Sequence, residues 1–281
     1  MSTYSQVSII GVGLIGGSIG LALRERGLAA EVVGVGRRQA SLDRALECST
    51  VDRVTLDFEE GVAAADIVLV ATPVESVVGD VTRALTSAPS GALVTDAGST
   101  KSKICEAVSA SADDISRFVG SHPLAGDHRS GPGFARGDLF VDKTVVVTPT
   151  EITPAATTQR AHDFWRALGA HTVEMSPNQH DQALAATSHL PHLVASALAS
   201  STPAEWLPLA ATGWSDTTRI AAADPSLWTQ IFAQNTTDLV AALDRLLEKM
   251  QSARSNLLAD NHEAVEQFLQ QAKRTRDALG N

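Results

Sequence analysis

The sequence predicts an α/β fold: a largely parallel sheet over residues 1–176, followed by an all-helical domain over residues 177–281. Two patterns carry this. Short apolar runs alternate with helically spaced stretches through the first half, and strand-like runs stop near Ser176. Short buried runs separated by helices are what a parallel sheet covered on both faces requires.

Taken in order, strands are expected at residues 7–10, 31–35, 67–71, 92–96, 117–120, 143–148 and 171–175, with helices over 18–26 and 41–47 between the first of them. The connections lengthen after the fourth run, which leaves the later strands free to be mixed in direction. Beyond Ser176 the spacing is helical. Leu239, Leu243, Leu246 and Met250 step by 4, 3 and 4 residues along one face. Asp260-Asn261-His262 interrupts that pattern, and Val265, Phe268, Leu269 and Ala272 resume it. Pro203, Pro208 and Pro225 divide the region before it. Two readings of the stripes stay open: packing within one chain, or a homodimer through the helical domain.

At 281 residues the chain has room for two cores, and 44% apolar with 19% charged residues is ordinary for a globular protein. A formal charge of −10 argues against a nucleic-acid partner, whose phosphates need a Lys/Arg surplus. It leaves room for a small anionic substrate, which a local cluster can hold. Cys48 and Cys105 form no CxxC pair, which points away from a disulfide or metal framework and toward the reducing cytoplasm. The uncharged first 23 residues lack a basic n-region and hold five glycines. A second uncharged stretch, 182–204, is broken by His189, Pro191, His192 and several serines. Neither reads as a secretion signal or a membrane span.

Those glycines make a specific pattern. Val7-Ser8-Ile9-Ile10 runs into Gly11-Val12-Gly13-Leu14-Ile15-Gly16, and helical spacing follows. This is Gly-x-Gly-x-x-Gly between a strand and a helix. Gly11 allows the tight turn, Gly13 lets backbone approach a pyrophosphate, and Gly16 lets helix and strand pack closely. The first domain is therefore read as a Rossmann-type dinucleotide-binding domain, with Leu14 and Ile15 in the phosphate turn. At the end of the second strand an acid would mark NAD, but Gly36-Arg37-Arg38-Gln39 stands there. Arg37 and Arg38 suit a 2′-phosphate and favour NADP; NAD, with an arginine stacked on adenine, is the other reading. Thr72 and Pro73 close a later strand at the edge where ligands of such sheets sit.

Three polar clusters remain: Thr95-Asp96-Ala97-Gly98-Ser99-Thr100-Lys101 at a strand end, Gly120-Ser121-His122-Pro123-Leu124-Ala125-Gly126 after a strand, and Ser188-His189-Leu190-Pro191-His192 opening a helix of the second domain. Each has an ordinary structural reading. Arg219 can pair with Asp216 on a helical face, Ser99 and Lys101 can serve a helix start, and His192 can be a core histidine.

Together with Gly17-Ser18, His180-Asp181 and Thr218-Arg219-Ile220-Ala221, and in this order from residue 7 to about residue 235, these pieces resemble the prephenate/arogenate dehydrogenase family of tyrosine biosynthesis. The resemblance implies oxidative decarboxylation of a ring substrate with NADP or NAD, prephenate giving 4-hydroxyphenylpyruvate or arogenate giving tyrosine. It implies His122 as the catalytic histidine and Ser99 as the residue that orients the substrate hydroxyl and nicotinamide. Arg219 matches the carboxylate-binding arginine, and His189 and His192 match substrate-pocket histidines. Ser121 joins the substrate side by its place beside His122.

The chain departs from the family at Asp127-His128, where many relatives have a small polar residue and then Glu. Both are expected near the substrate, and a carboxylate at Asp127 would favour the ammonium of arogenate over the keto group of prephenate. A β-hydroxyacid dehydrogenase fits poorly, because the only lysines after residue 143 are Lys249 and Lys273. A dinucleotide sensor without catalysis would not be expected to keep His122, Ser99 and Arg219.

Overall fold

The computed structural model describes residues 2–112, 114–127 and 129–280. The first half opens with β1 (Tyr4–Ile10), α1 (Leu14–Glu25), β2 (Ala29–Val35), α2 (Gln39–Glu47), β3 (Arg53–Thr55) and α3 (Phe58–Val62). It continues through β4 (Ile67–Val70), α4 (Val74–Ser87), β5 (Leu93–Asp96), α5 (Ser102–Ser111) and β6 (Phe118–Pro123). Then come β7 (Thr144–Thr148), α6 (Ala155–Ala167) and β8 (His171–Glu174).

The eight strands form one sheet in the order β3-β2-β1-β4-β5-β6-β7-β8. All neighbours are parallel except β6 and β7, which run antiparallel in the register Ser121 opposite Val147 and His122 opposite Val146. The predicted mixture of directions after the fourth run is thus a single reversal. On one face Ile9, Val32, Leu69 and Leu93 pack with Ile19 and Leu23 of α1 and Phe164 and Trp165 of α6. On the other, Val33, Val68, Val94 and Phe118 pack with Val77 and Val81 of α4 and Ile104 of α5. Each such large side chain contributes roughly 1.5–3 kcal/mol by leaving water.

Three expectations are corrected. The strand Arg53–Thr55 was not anticipated: it is three residues long, with none of them fully buried, so no apolar run announces it. The predicted strand 117–120 extends to Pro123, so Ser121 and His122 lie within β6 rather than after it. The third polar cluster does not open a helix. It sits midway along a continuous helical rod made of α7 (Pro177–Leu184), a π-helical segment (Ala185–His189) and α8 (Leu190–Ser201). Pro191 lacks an amide hydrogen, and the wider π turn accommodates that gap without ending the rod.

The rod begins at a capping box. Ser176 accepts from the Gln179 amide, the Gln179 side chain accepts from the Ser176 amide, and Pro177 stands at the first position. Then follow a 3-10 turn (Ala204–Leu209), α9 (Thr212–Thr218), a 3-10 turn (Arg219–Ala222), α10 (Pro225–Gln234), α11 (Thr236–Leu258) and α12 (His262–Asp277). The predicted break at 260–262 is the start of α12, where Asn261 accepts from the Ala264 amide. Of the stripe residues only Leu239 is buried; Met250 and Leu269 are more than half exposed, and α12 buries no residue. Among the described residues no helix is long and apolar enough to cross a membrane.

Candidate active site

The glycine turn forms a cradle at the C-terminal edge of β1. Gly11 has φ of +90°, and a Cβ there would meet the Ala71 carbonyl and the Thr72 methyl at 2.9 Å. A Cβ at Gly16 would lie 2.3 Å from the Gly11 carbonyl. Gly13 instead faces open space, with nothing within 4 Å of its missing side chain. It caps α1 without a side-chain hydrogen bond, and the first turn of that helix, which includes Leu14 and Ile15, holds no acid. Free backbone N–H groups at a helix start beside open volume fit a pyrophosphate. Thr72 donates to Asp80 at 2.7 Å, which fixes the 72–73 turn over the cradle. Arg37 and Arg38 are exposed just past β2, and neither has an ion pair among the described residues.

Beyond β5 a second set of polar groups is buried. Lys101 and Asp96 are both fully buried and form an ion pair. The Lys101 ammonium also donates to the Ser121 carbonyl at 2.9 Å, and Asp96 accepts from the amides of Gly98 and Ser121. This pair fastens the 97–101 loop to β6. Ser121 was expected on the substrate. It is instead fully buried, its hydroxyl 2.8 Å from that of Thr95, because alternate residues of a strand face opposite sides of the sheet. The neighbouring His122 is consequently turned the other way. Ser99, in the loop, is half-buried, with its hydroxyl bonded to none of the described residues.

His122 does not stand alone. Its Nδ1 lies 2.8 Å from Nε2 of His180, and Nδ1 of His180 lies 2.7 Å from the Asp181 carboxylate. Asp181 also accepts from the amides of Lys101 and Ser102, at 2.8 and 2.9 Å. Burial pushes the Asp181 carboxyl up, but the bonds from His180 and the two amides outweigh it and hold its pKa below the ordinary value. Burial first, then His180, Lys101 and His189, hold the His122 pKa well below 6.5. Sequence reading missed His180 and Asp181 as functional residues. Their one local signal is an adjacent His-Asp pair in the first turns of a helix; the contact that gives it meaning is 58 residues away in the chain.

The same rod carries His189 and His192. His189 is buried, 3.2 Å from the Asn235 amide, and that amide also donates to the Asp181 carbonyl at 2.7 Å. Burial lowers the His189 pKa to about 4. His192 stacks on Trp228, and its pKa is lowered by burial and by the nearby Arg219. Arg219 is exposed, and no ion pair links it to Asp216. Asp127 pairs with Arg129 at 2.6 Å, and that guanidinium lies over the Phe134 ring. His128 lies outside the described residues.

A dinucleotide cradle on one side of a sheet edge, and a histidine pair held by a carboxylate from a following helical rod, define a nicotinamide-dependent dehydrogenase. Residues 19–174 match the nucleotide-binding domain of prephenate dehydrogenase, and residues 176–274 match its dimerization domain. The chain belongs to the prephenate dehydrogenase family. It is 31% identical to a prephenate dehydrogenase of Bacillus subtilis over 97% of this chain and 76% of that one. It is likewise 31% identical to a cyclohexadienyl dehydrogenase of Zymomonas mobilis, over 99% and 97%. Among solved structures, a prephenate dehydrogenase from A. aeolicus in complex with hydroxyphenyl propionate and NAD+ matches with a TM-score of 0.90 at 28% identity, covering 98% of each chain. An arogenate dehydrogenase from Synechocystis matches with a TM-score of 0.84 at 29% identity, over 98% and 99%.

Proposed function

We propose that this chain converts prephenate to 4-hydroxyphenylpyruvate and carbon dioxide, with NAD(P)+ as oxidant and His122 as the base. The single observation that carries the reading is the His122–His180 contact of 2.8 Å, which occupies Nδ1 and leaves Nε2 to meet a substrate hydroxyl. Bound nicotinamide supplies the acceptor for the hydride leaving the ring carbon that bears the hydroxyl. Nε2 of His122 takes the hydroxyl proton, and that carbon becomes a carbonyl. The bond to the ring carboxylate then breaks. Its electron pair moves through the ring to the oxygen, which regains the proton as the ring becomes aromatic. Atoms and charge balance without any further reactant.

In the same reading Ser99 orients the hydroxyl, while Arg219, His189 and His192 hold the substrate carboxylates. The glycine cradle takes the pyrophosphate, Thr72-Pro73 borders the nicotinamide ribose, and Arg37 and Arg38 take a 2′-phosphate, which makes NADP the preferred partner. Prephenate is favoured over arogenate because the Asp127 charge, which would attract an ammonium, is already countered by Arg129. Asp127 and residue 128 are read as the border of the substrate pocket. We read residues 1–176 and 177–281 as separate domains, and the exposed Met250, Leu257, Leu258 and Leu269 as part of a homodimer face.

The test is the reduction of NADP+ and of NAD+, followed by absorbance, with prephenate and arogenate supplied separately. Turnover fastest with prephenate and NADP+ is the expected result. Absence of turnover in all four combinations, by protein that binds cofactor, overturns the reading.

A further inference from the structure

We propose that His180 and Asp181 are positioning residues which fix the proton of His122 on Nδ1 and share the charge the base acquires. The proposal rests on the reading of His122 as the base and deepens it.

Each link follows from who can donate. Asp181 is an acceptor, so the proton of His180 sits on Nδ1, facing the carboxylate. Nε2 of His180 is then a lone pair, and across 2.8 Å it can only accept. Nδ1 of His122 must therefore donate, which leaves its Nε2 unprotonated. The other tautomer of His122 would set two lone pairs against each other inside the protein. The order of groups is carboxylate, imidazole, imidazole, and the base lies at the open end.

The surroundings make this arrangement consequential. The charged and titratable groups facing the two rings are Lys101 and Asp96 from the end of β5 and its loop, Asp181 from α7, and His189 from the π segment. Lys101 and Asp96 neutralise one another, so Asp181 is the unbalanced anion nearest the rings. When the His122 Nε2 takes a proton, the resulting cation is separated from that anion by one imidazole. Asp181 is itself held from three directions: by the amides of Lys101 and Ser102, by His180, and through its backbone carbonyl by Asn235. It therefore joins the loop that carries Ser99 to the base without touching the substrate.

Three full-chain variants separate a relay from mere packing. His180→Leu removes the acceptor and is expected to lower kcat on the order of 10²–10⁴-fold, the range that a positioned general base contributes. His180→Gln can offer its amide oxygen in place of Nε2 and is expected to recover part of that loss. Asp181→Asn keeps an oxygen toward His180 but removes the charge, so the acidic limb of the kcat profile moves to lower pH as the base weakens. KM is expected to change little in all three. If Leu and Gln lose equally and the acidic limb of Asp181→Asn stays in place, the relay is wrong.

A second measurement needs no variant. Nitrogen-15 spectra of the histidine rings of the wild-type protein report the tautomer directly, and a His122 protonated on Nε2 overturns the proposal. That outcome in an enzyme that still turns over prephenate would sink the relay alone, whereas absence of turnover would sink the functional reading beneath it.

Discussion

The imidazole of His192 lies flat on the indole of Trp228, with ring centroids 3.4 Å apart and planes within 21° of each other. The same indole meets the His189 ring edge-on at 6.2 Å. One aromatic side chain from α10 thus walls two histidines of the rod. Stacking of this kind is worth about 0.5–1.5 kcal/mol beyond area burial. Trp228→Leu is expected to raise KM for the ring substrate roughly 3–10-fold while kcat changes less. Steady-state kinetics checks this; a fall in kcat at constant KM would place Trp228 elsewhere in the mechanism.

Breaking the Lys101–Asp96 pair is expected to cost far more than the pair itself contributes. Both groups are fully buried, so Lys101→Met strands a carboxylate in the interior, at roughly 3–5 kcal/mol. Adding Asp96→Asn removes the stranded charge and is expected to restore much of the loss. Urea midpoints of the single and double variants give the comparison, and additive losses would count against the account.

Cofactor choice is expected to respond to Arg37 and Arg38 together. A charge-assisted hydrogen bond is worth about 1.5–3 kcal/mol, so Arg37→Gln with Arg38→Gln should raise KM for NADP+ by roughly 10–100-fold. KM for NAD+ should barely move, since no phosphate is lost from its contacts. Equal weakening of both cofactors would mean that the arginines stack on adenine instead.

The pH dependence has two parts with the same origin. His122 is held well below 6.5, so it is already neutral near pH 7, and kcat/KM is expected to stay level well into the acidic range. For stability, the buried histidines bind protons more readily in the unfolded chain than in the folded one. Folded stability is therefore complete above the unfolded pKa of about 6.5 and falls as pH drops below it. For His189 the loss continues down to its folded pKa of about 4. Melting temperatures between pH 7 and 4 should decline, and His189→Gln should decline less steeply.

How much of this was legible depends on the range of the interaction. The glycine turn is local: its three glycines answer to clashes at 2.9 and 2.3 Å and to open space at Gly13, all close to the turn itself. The break before α12 was equally legible, because Asn261 caps its own helix. The sequence neighbours of His122 drew attention to it, but they do not show that strand alternation turns Ser121 inward once β6 extends to Pro123. His180 and Asp181 acquire their roles only when α7 reaches the loop after β5. No local pattern encodes that meeting. The π segment was illegible for a related reason, since Ala185-Ala186-Thr187-Ser188-His189 has ordinary helical composition.

That segment has a rotational consequence. A regular α-helix turns about 100° per residue, so His180 and His192, twelve apart, would point about 120° away from each other. A π turn absorbs one extra residue without advancing the rotation, which brings the two to within about 20°. His189, which would otherwise face opposite His180, swings to about 80° from it. The extra residue acts as a phase correction that brings His180 and His192 onto one side of a single helical rod. Removing Ala186 would leave the two histidines eleven apart in regular winding and still within about 20°, whereas regular winding with every residue kept would turn them out of step.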